Sequence, residues 1–175
     1  MIAVLWRFFF AICCFKKAPQ DLPASRELLS LCLFGYAISS FLLALSTRSA
    51  DIAVASGIID TVLLAVLCYF LLLVWRKTER WVQATTALFG SGILFSIAAM
   101  PLSYWLTHIG NNDPLALLLF ALVISLLVWN IAVMAHIMRH ALSCSFALGV
   151  LTALFYVWVI TTTITGLFPQ PAGLS

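Results

Sequence analysis

Five long apolar runs separated by short polar connections constrain this chain more than any other feature: residues 28–45, 52–75, 82–106, 115–134 and 146–168. A helix that crosses a bilayer needs about 20 mostly apolar residues, and each run reaches or approaches that length. A soluble domain could not hide five such segments: only 9% of the 175 residues are charged, against the roughly 25% that a soluble surface uses. Disorder is excluded as well, because it requires low hydrophobicity and high charge, whereas this chain is 64% hydrophobic with a mean hydropathy of +1.13. The expected fold is an all-α integral membrane protein. It forms a single polytopic domain over residues 1–175, with no length left for a soluble domain.

The connections, residues 47–51, 76–80, 108–114 and 136–145, are short enough that consecutive helices should be antiparallel neighbours. Orientation follows from the basic residues, which favour the cytoplasmic side of a membrane. With the N-terminus inside, that side holds Arg7, Lys16, Lys17, Arg26, Arg76, Lys77, Arg80 and Arg139, and only Arg48 lies outside. The expected topology therefore has the N-terminus inside and the C-terminus outside. Trp75, Trp81 and Trp105 fall near span ends, where amphipathic aromatic rings anchor at the interface.

Residues 1–18 read differently from the spans. Arg7 interrupts the first apolar stretch, and Lys16 and Lys17 follow it instead of preceding it, which is not the order of a signal peptide. Arg7, Ala11, Cys14 and Ala18 share one helical face, while Leu5, Trp6, Phe8, Phe9, Phe10 and Phe15 supply bulk elsewhere. The segment is expected to be an interfacial amphipathic helix, with Arg7 and the lysines reaching toward the headgroups. Pro19 and Pro23 then break it, and Asp21 or Ser25 caps the next helix. The five cysteines, Cys13, Cys14, Cys32, Cys68 and Cys144, are odd in number and scattered through apolar sequence, so they read as small buried hydrophobes.

Asp60 is the sharpest anomaly. A carboxyl group within a span costs several kcal/mol unless it is paired, hydrated or protonated. It falls about 12 Å into the second run from its outer end, with Ser56 and Gly57 one turn before it. Tyr104 and Thr162, with Ser39, Ser40 and the neighbouring Thr161, Thr163 and Thr165, lie at similar depth and could line a polar pocket with it. Two roles remain open for Asp60: a substrate- or ion-binding group, or a hydrogen-bonded residue that fixes helix packing. No other ionisable group lies within the spans, which argues against a proton pump.

On the inner side, Arg76, Lys77 and Arg80 beside Trp75 and Trp81 suit anionic lipid headgroups. His136, His140 and Cys144 recur every fourth residue, the spacing of ligands on one helix face, but Arg139 beside them disfavours a cation. No metal or other cofactor is expected. Ser91, between Gly90 and Gly92, has no histidine at its depth to act as a base, so those small residues read as close packing. Gly35 with Ser39, Ala53 with Gly57 and Gly149 with Ala153 read the same way. Asn130 can bond across helices. Phosphate-binding loops, dinucleotide glycine patterns and the helical zinc motif are absent from the sequence.

The expectation is a non-enzymatic membrane subunit or accessory scaffold that packs against partner membrane proteins or lipids, without nucleic acid. The alternative is a small oligomeric carrier or channel that uses Asp60 and the outer hydroxyls. A chain oriented by its basic residues suits a bacterial inner membrane.

Overall fold

A computed structural model of the chain describes residues 2–109 and 114–168. Residues 110–113 of the third connection and the 169–175 tail, expected on the outer side, lie outside the described residues. Six α-helices follow one another: α1 Ile2–Cys13, α2 Arg26–Leu45, α3 Ala50–Val74, α4 Trp81–His108, α5 Pro114–Leu142 and α6 Phe146–Leu167. Short 3-10 turns at Pro19–Asp21 and Thr78–Arg80 punctuate them. Helices α2 to α6 are each long and apolar enough to cross a membrane. Among the described residues the fold is all-helical, as expected, with five helices long and apolar enough to be spans. The end of the bundle where α2, α4 and α6 begin carries Arg26, Arg76, Lys77 and Arg80, and is called the basic end below.

Local chemistry sets the helix ends. Ser25 caps α2 by accepting a hydrogen bond from the Leu28 amide at 3.3 Å, and Ser145 caps α6 through the Leu148 amide at 3.4 Å. Asp21 has a different task, accepting the Ala18 amide at 3.0 Å across the 3-10 turn. The stops of α1, α3 and α5 share one device, in which Phe15, Arg76 and Ser143 take positive φ values of 59°, 55° and 52°. Beyond each, an amide reaches back five residues: Lys16 to Ala11, Lys77 to Leu72 and Cys144 to Arg139. This is the Schellman closure, here built without glycine.

Two expectations about the elements change. Residues 136–145 are not simply a connection: α5 continues eight residues past 134 to Leu142, and the actual turn is only residues 143–145. Likewise α1 stops at Cys13 instead of running to 18, because Phe15 adopts the left-handed conformation that ends it.

Packing departs from simple sequential neighbours. α2 lies between α3 and α4 and packs extensively on both, while α3 and α4 touch each other much less. The short turn fixes only their near ends, where Trp81 Nε1 donates to the Ala65 carbonyl at 3.3 Å and Thr85 Oγ1 lies 3.5 Å from Cys68 Sγ. α5 packs on α4 and α6, and α6 lightly touches α3. Small residues permit the closest approaches. A Cβ on Gly57 would sit 3.1 Å from the Phe41 amide nitrogen, and one on Gly149 would sit 2.4 Å from the Ala135 carbonyl oxygen.

α1 is part of this core. Phe9, Ile12 and Cys13 are buried, and the Phe9 ring fills the space left by the missing side chain of Gly90 in α4. Trp129 Nε1 of α5 donates to the Cys13 carbonyl at 3.0 Å. The face expected to rest on lipid is thus in part a protein-packing face, while Trp6, Arg7 and Phe10 remain exposed. The break after α1 is held in place too: Leu22 is buried, and its carbonyl accepts from Gln83 Nε2 at 2.7 Å.

Candidate functional site

Asp60 gathers its partners from two other helices. One carboxylate oxygen accepts from Tyr36 Oη at 2.7 Å and Ser40 Oγ at 3.1 Å, both on α2, and the other accepts from Tyr156 Oη on α6. At about 1.5 Å of rise per residue, Asp60, Tyr36 and Tyr156 each lie roughly 15 Å from the far ends of their helices, so three elements converge at one depth. A carboxylate offers about four acceptor sites, and three are filled here by hydroxyl donors. Charge-assisted bonds of this kind offset the cost of holding a carboxylate in an apolar surrounding.

The packing of Tyr36 explains its aim. Its ring stacks on Phe89 with centroids 5.1 Å apart and rests over Gly92, where a Cβ would lie 2.4 Å from a ring carbon. Gly92 therefore makes room for the tyrosine that holds Asp60. Tyr156 is buried on α6, and its bond to Asp60 closes the gap between the lightly touching α3 and α6.

Beside this clamp lies a cavity of about 440 Å³ bounded by all five long helices. It runs from Asp60 and Asn130 toward Thr47 and Ser103 near the end opposite the basic one. Most of its wall is apolar, supplied by residues such as Leu43, Phe95 and Leu126, and among the described residues Asp60 is the only charged side chain that lines it. Ser56 also lines it, one helical turn before Asp60. Its hydroxyl is buried and lacks a hydrogen-bond partner among the described residues.

Ser56 and Asp60 line one cavity, whereas Tyr104 and Thr162 stand apart from them. Tyr104 is exposed and stacks on His108 with centroids 4.2 Å apart. Thr162 faces outward on α6 and bonds to its own helix through the Trp158 and Val159 carbonyls. Equal depth in a span does not bring side chains onto one face. Tyr36 and Tyr156 were missed for the converse reason. Tyr36 and Ser40 do share a helical face four residues apart, a signal available in the sequence, but Tyr156 is a single hydroxyl in an apolar run.

Lys77 and Arg80 turn toward the protein. Lys77 Nζ donates to the Leu142 carbonyl at 2.9 Å, and Arg80 donates to the His140 and Ala141 carbonyls at 3.3 and 3.4 Å and to Ser143 Oγ at 2.8 Å. They cap the C-terminus of α5, where unpaired carbonyls and the helix dipole favour cations. Arg76 alone of the three headgroup candidates is fully exposed.

His136 and His140 do meet, with ring centroids 4.6 Å apart, and His136 Nε2 lies 3.1 Å from the Lys17 carbonyl. Cys144 follows the end of α5 and the positive φ of Ser143, so the stacked face does not continue to it. No cluster of three metal-ligating side chains forms among the described residues. All five cysteines are free.

No known protein family, curated protein or solved structure matches this chain.

Proposed function

We propose that this chain is a multi-pass protein of a bacterial cytoplasmic membrane that binds a small molecule from the outer side, in the manner of a small carrier, with Asp60 at the closed end of its site. The observation that carries this reading is the cavity: a carboxylate, a serine hydroxyl without a partner among the described residues and an amide side chain line one partly open space bordered by five helices. Pockets of this size, mostly apolar with a few convergent polar groups, are where ligands bind. The basic-residue distribution supports an inside N-terminus and an outside C-terminus, which puts the Thr47 and Ser103 end of the cavity on the outer side. No chemical reaction is assigned to the site.

A second reading, an accessory subunit that acts by packing against lipids, partner membrane proteins or further copies of itself, is favoured by the clamp. A carboxylate satisfied by three hydroxyls fixes helix geometry without a ligand. Native mass spectrometry of the protein released gently from its own membrane separates the two. The carrier reading expects a small-molecule adduct on the wild type that is absent from Asp60→Asn. A stable complex with a different membrane protein, unchanged in that variant and free of small-molecule adducts, overturns it in favour of the subunit.

A further inference from the structure

We propose that the cavity selects an organic cation: a molecule with one ammonium group, which Asp60 and Ser56 receive, and an apolar body, which the rest of the wall holds. This rests on the reading of the cavity as a ligand site and names the class of ligand it takes.

Charge is the first reason. Among the described residues Asp60 is the only charged group lining the space, and no basic side chain lines it. Arg48, at the far end, lines an adjoining hollow with Ser49, Thr107 and His108, which meets the cavity at Thr47. An anion entering the cavity would meet an uncompensated carboxylate in low dielectric, where like charges repel most strongly. A cation would meet its counter-charge.

The unused hydrogen-bonding capacity points the same way. The hydroxyl clamp leaves about one acceptor site of the carboxylate unfilled. Ser56, four residues earlier on α3, is 4% exposed and its Oγ has no partner among the described residues, which is costly for a buried hydroxyl. Several other helical serines, Ser39, Ser91 and Ser125 among them, bond back to their own helix. The Ser56 oxygen is instead left unpaired among the described residues, in a residue that lines the cavity. An ammonium group carries three donors and no acceptor, so it can satisfy the remaining carboxylate site and Ser56 together, and Asn130 lines the same space.

The apolar wall sets the rest of the ligand. A bare metal ion would require several convergent oxygen ligands, whereas here most of the lining is aliphatic or aromatic. Tyr36 and Phe95 supply ring surfaces to which a cation is attracted. The volume of about 440 Å³ accommodates a body far larger than an ion.

The test measures binding of three probes of one shape to the purified full-length protein by titration calorimetry: 2-phenylethylamine, its neutral counterpart 2-phenylethanol, and the anion phenylacetate. The amine should bind at least tenfold tighter than the alcohol, and phenylacetate weakest. Asp60→Asn should weaken the amine at least tenfold and leave the alcohol unchanged. Ala99→Phe, which fills the cavity without touching the clamp, should abolish amine binding, so the inference stays testable even where Asp60→Asn does not fold. Equal binding of amine and alcohol, or amine binding that survives Ala99→Phe, overturns the proposal. Absence of binding by all three probes also overturns it. In that last case a native small-molecule adduct lost in Asp60→Asn leaves the ligand site standing with another ligand class, whereas absence of that adduct removes both.

Discussion

Tyr156 is buried on α6, and its hydroxyl is the only partner of one of the Asp60 carboxylate oxygens among the described residues. Tyr156→Phe removes that donor and nothing else. Interhelical hydrogen bonds in membranes contribute about 0.6–2 kcal/mol, and leaving a charged acceptor short of a partner moves the cost to the upper part of that range. The variant should therefore unfold about 1–2 kcal/mol more easily in detergent, measured by denaturant titration. Tyr104→Phe serves as the control, with a change below about 0.5 kcal/mol, as exposed substitutions usually give. Equal effects at the two positions would remove the clamp as a stabilising unit. Tyr104 and Tyr156 look alike in sequence: each is a tyrosine inside an apolar run. Helical rotation relative to a neighbour separates them, and that is a tertiary quantity.

The connection between α3 and α4 illustrates what an element needs beyond its apolar length. Its basic residues are legible in the sequence as a charge cluster, and a headgroup site is the natural reading of three cations beside two tryptophans. In the folded chain Lys77 and Arg80 satisfy the carbonyls at the end of α5, a helix that begins more than thirty residues later. Arg80→Ala removes a cap made of three hydrogen bonds, and contributions of this kind are about 0.5–2 kcal/mol. The variant should lose stability on that scale, with faster hydrogen exchange in the last turn of α5. Arg76→Ala, at an exposed side chain, should leave that exchange unchanged. If both variants behave alike, the basic cluster acts through lipid or topology and not through α5.

At the scale of the molecule, α1 is docked on the bundle through α4 and α5. Burial pushes the Cys13 thiol up to about 11, with the neighbouring Cys14 contributing less. At pH 8 about one Cys13 in a thousand is then thiolate, the reactive form. Alkylation of Cys13 by N-ethylmaleimide should be at least tenfold slower than that of the half-exposed Cys14, and denaturation in strong detergent should bring the two rates together. Rapid labelling of Cys13 in the folded protein would mean that α1 is not docked against α4 and α5. The sequence by itself determined the helical class, the number of long apolar helices and the anomaly of Asp60 with Ser56 one turn away. Those properties depend on local length, hydropathy and the helical repeat, which a single chain states directly. Tertiary structure alone decided that α2 separates α3 from α4, that Tyr36 and Tyr156 reach Asp60, and that five helices leave a cavity beside it. In an apolar chain almost every helix face can pack against almost any other, so partner and rotation follow from shape: where Gly57, Gly92 and Gly149 let neighbours approach, and which side chain fills each gap.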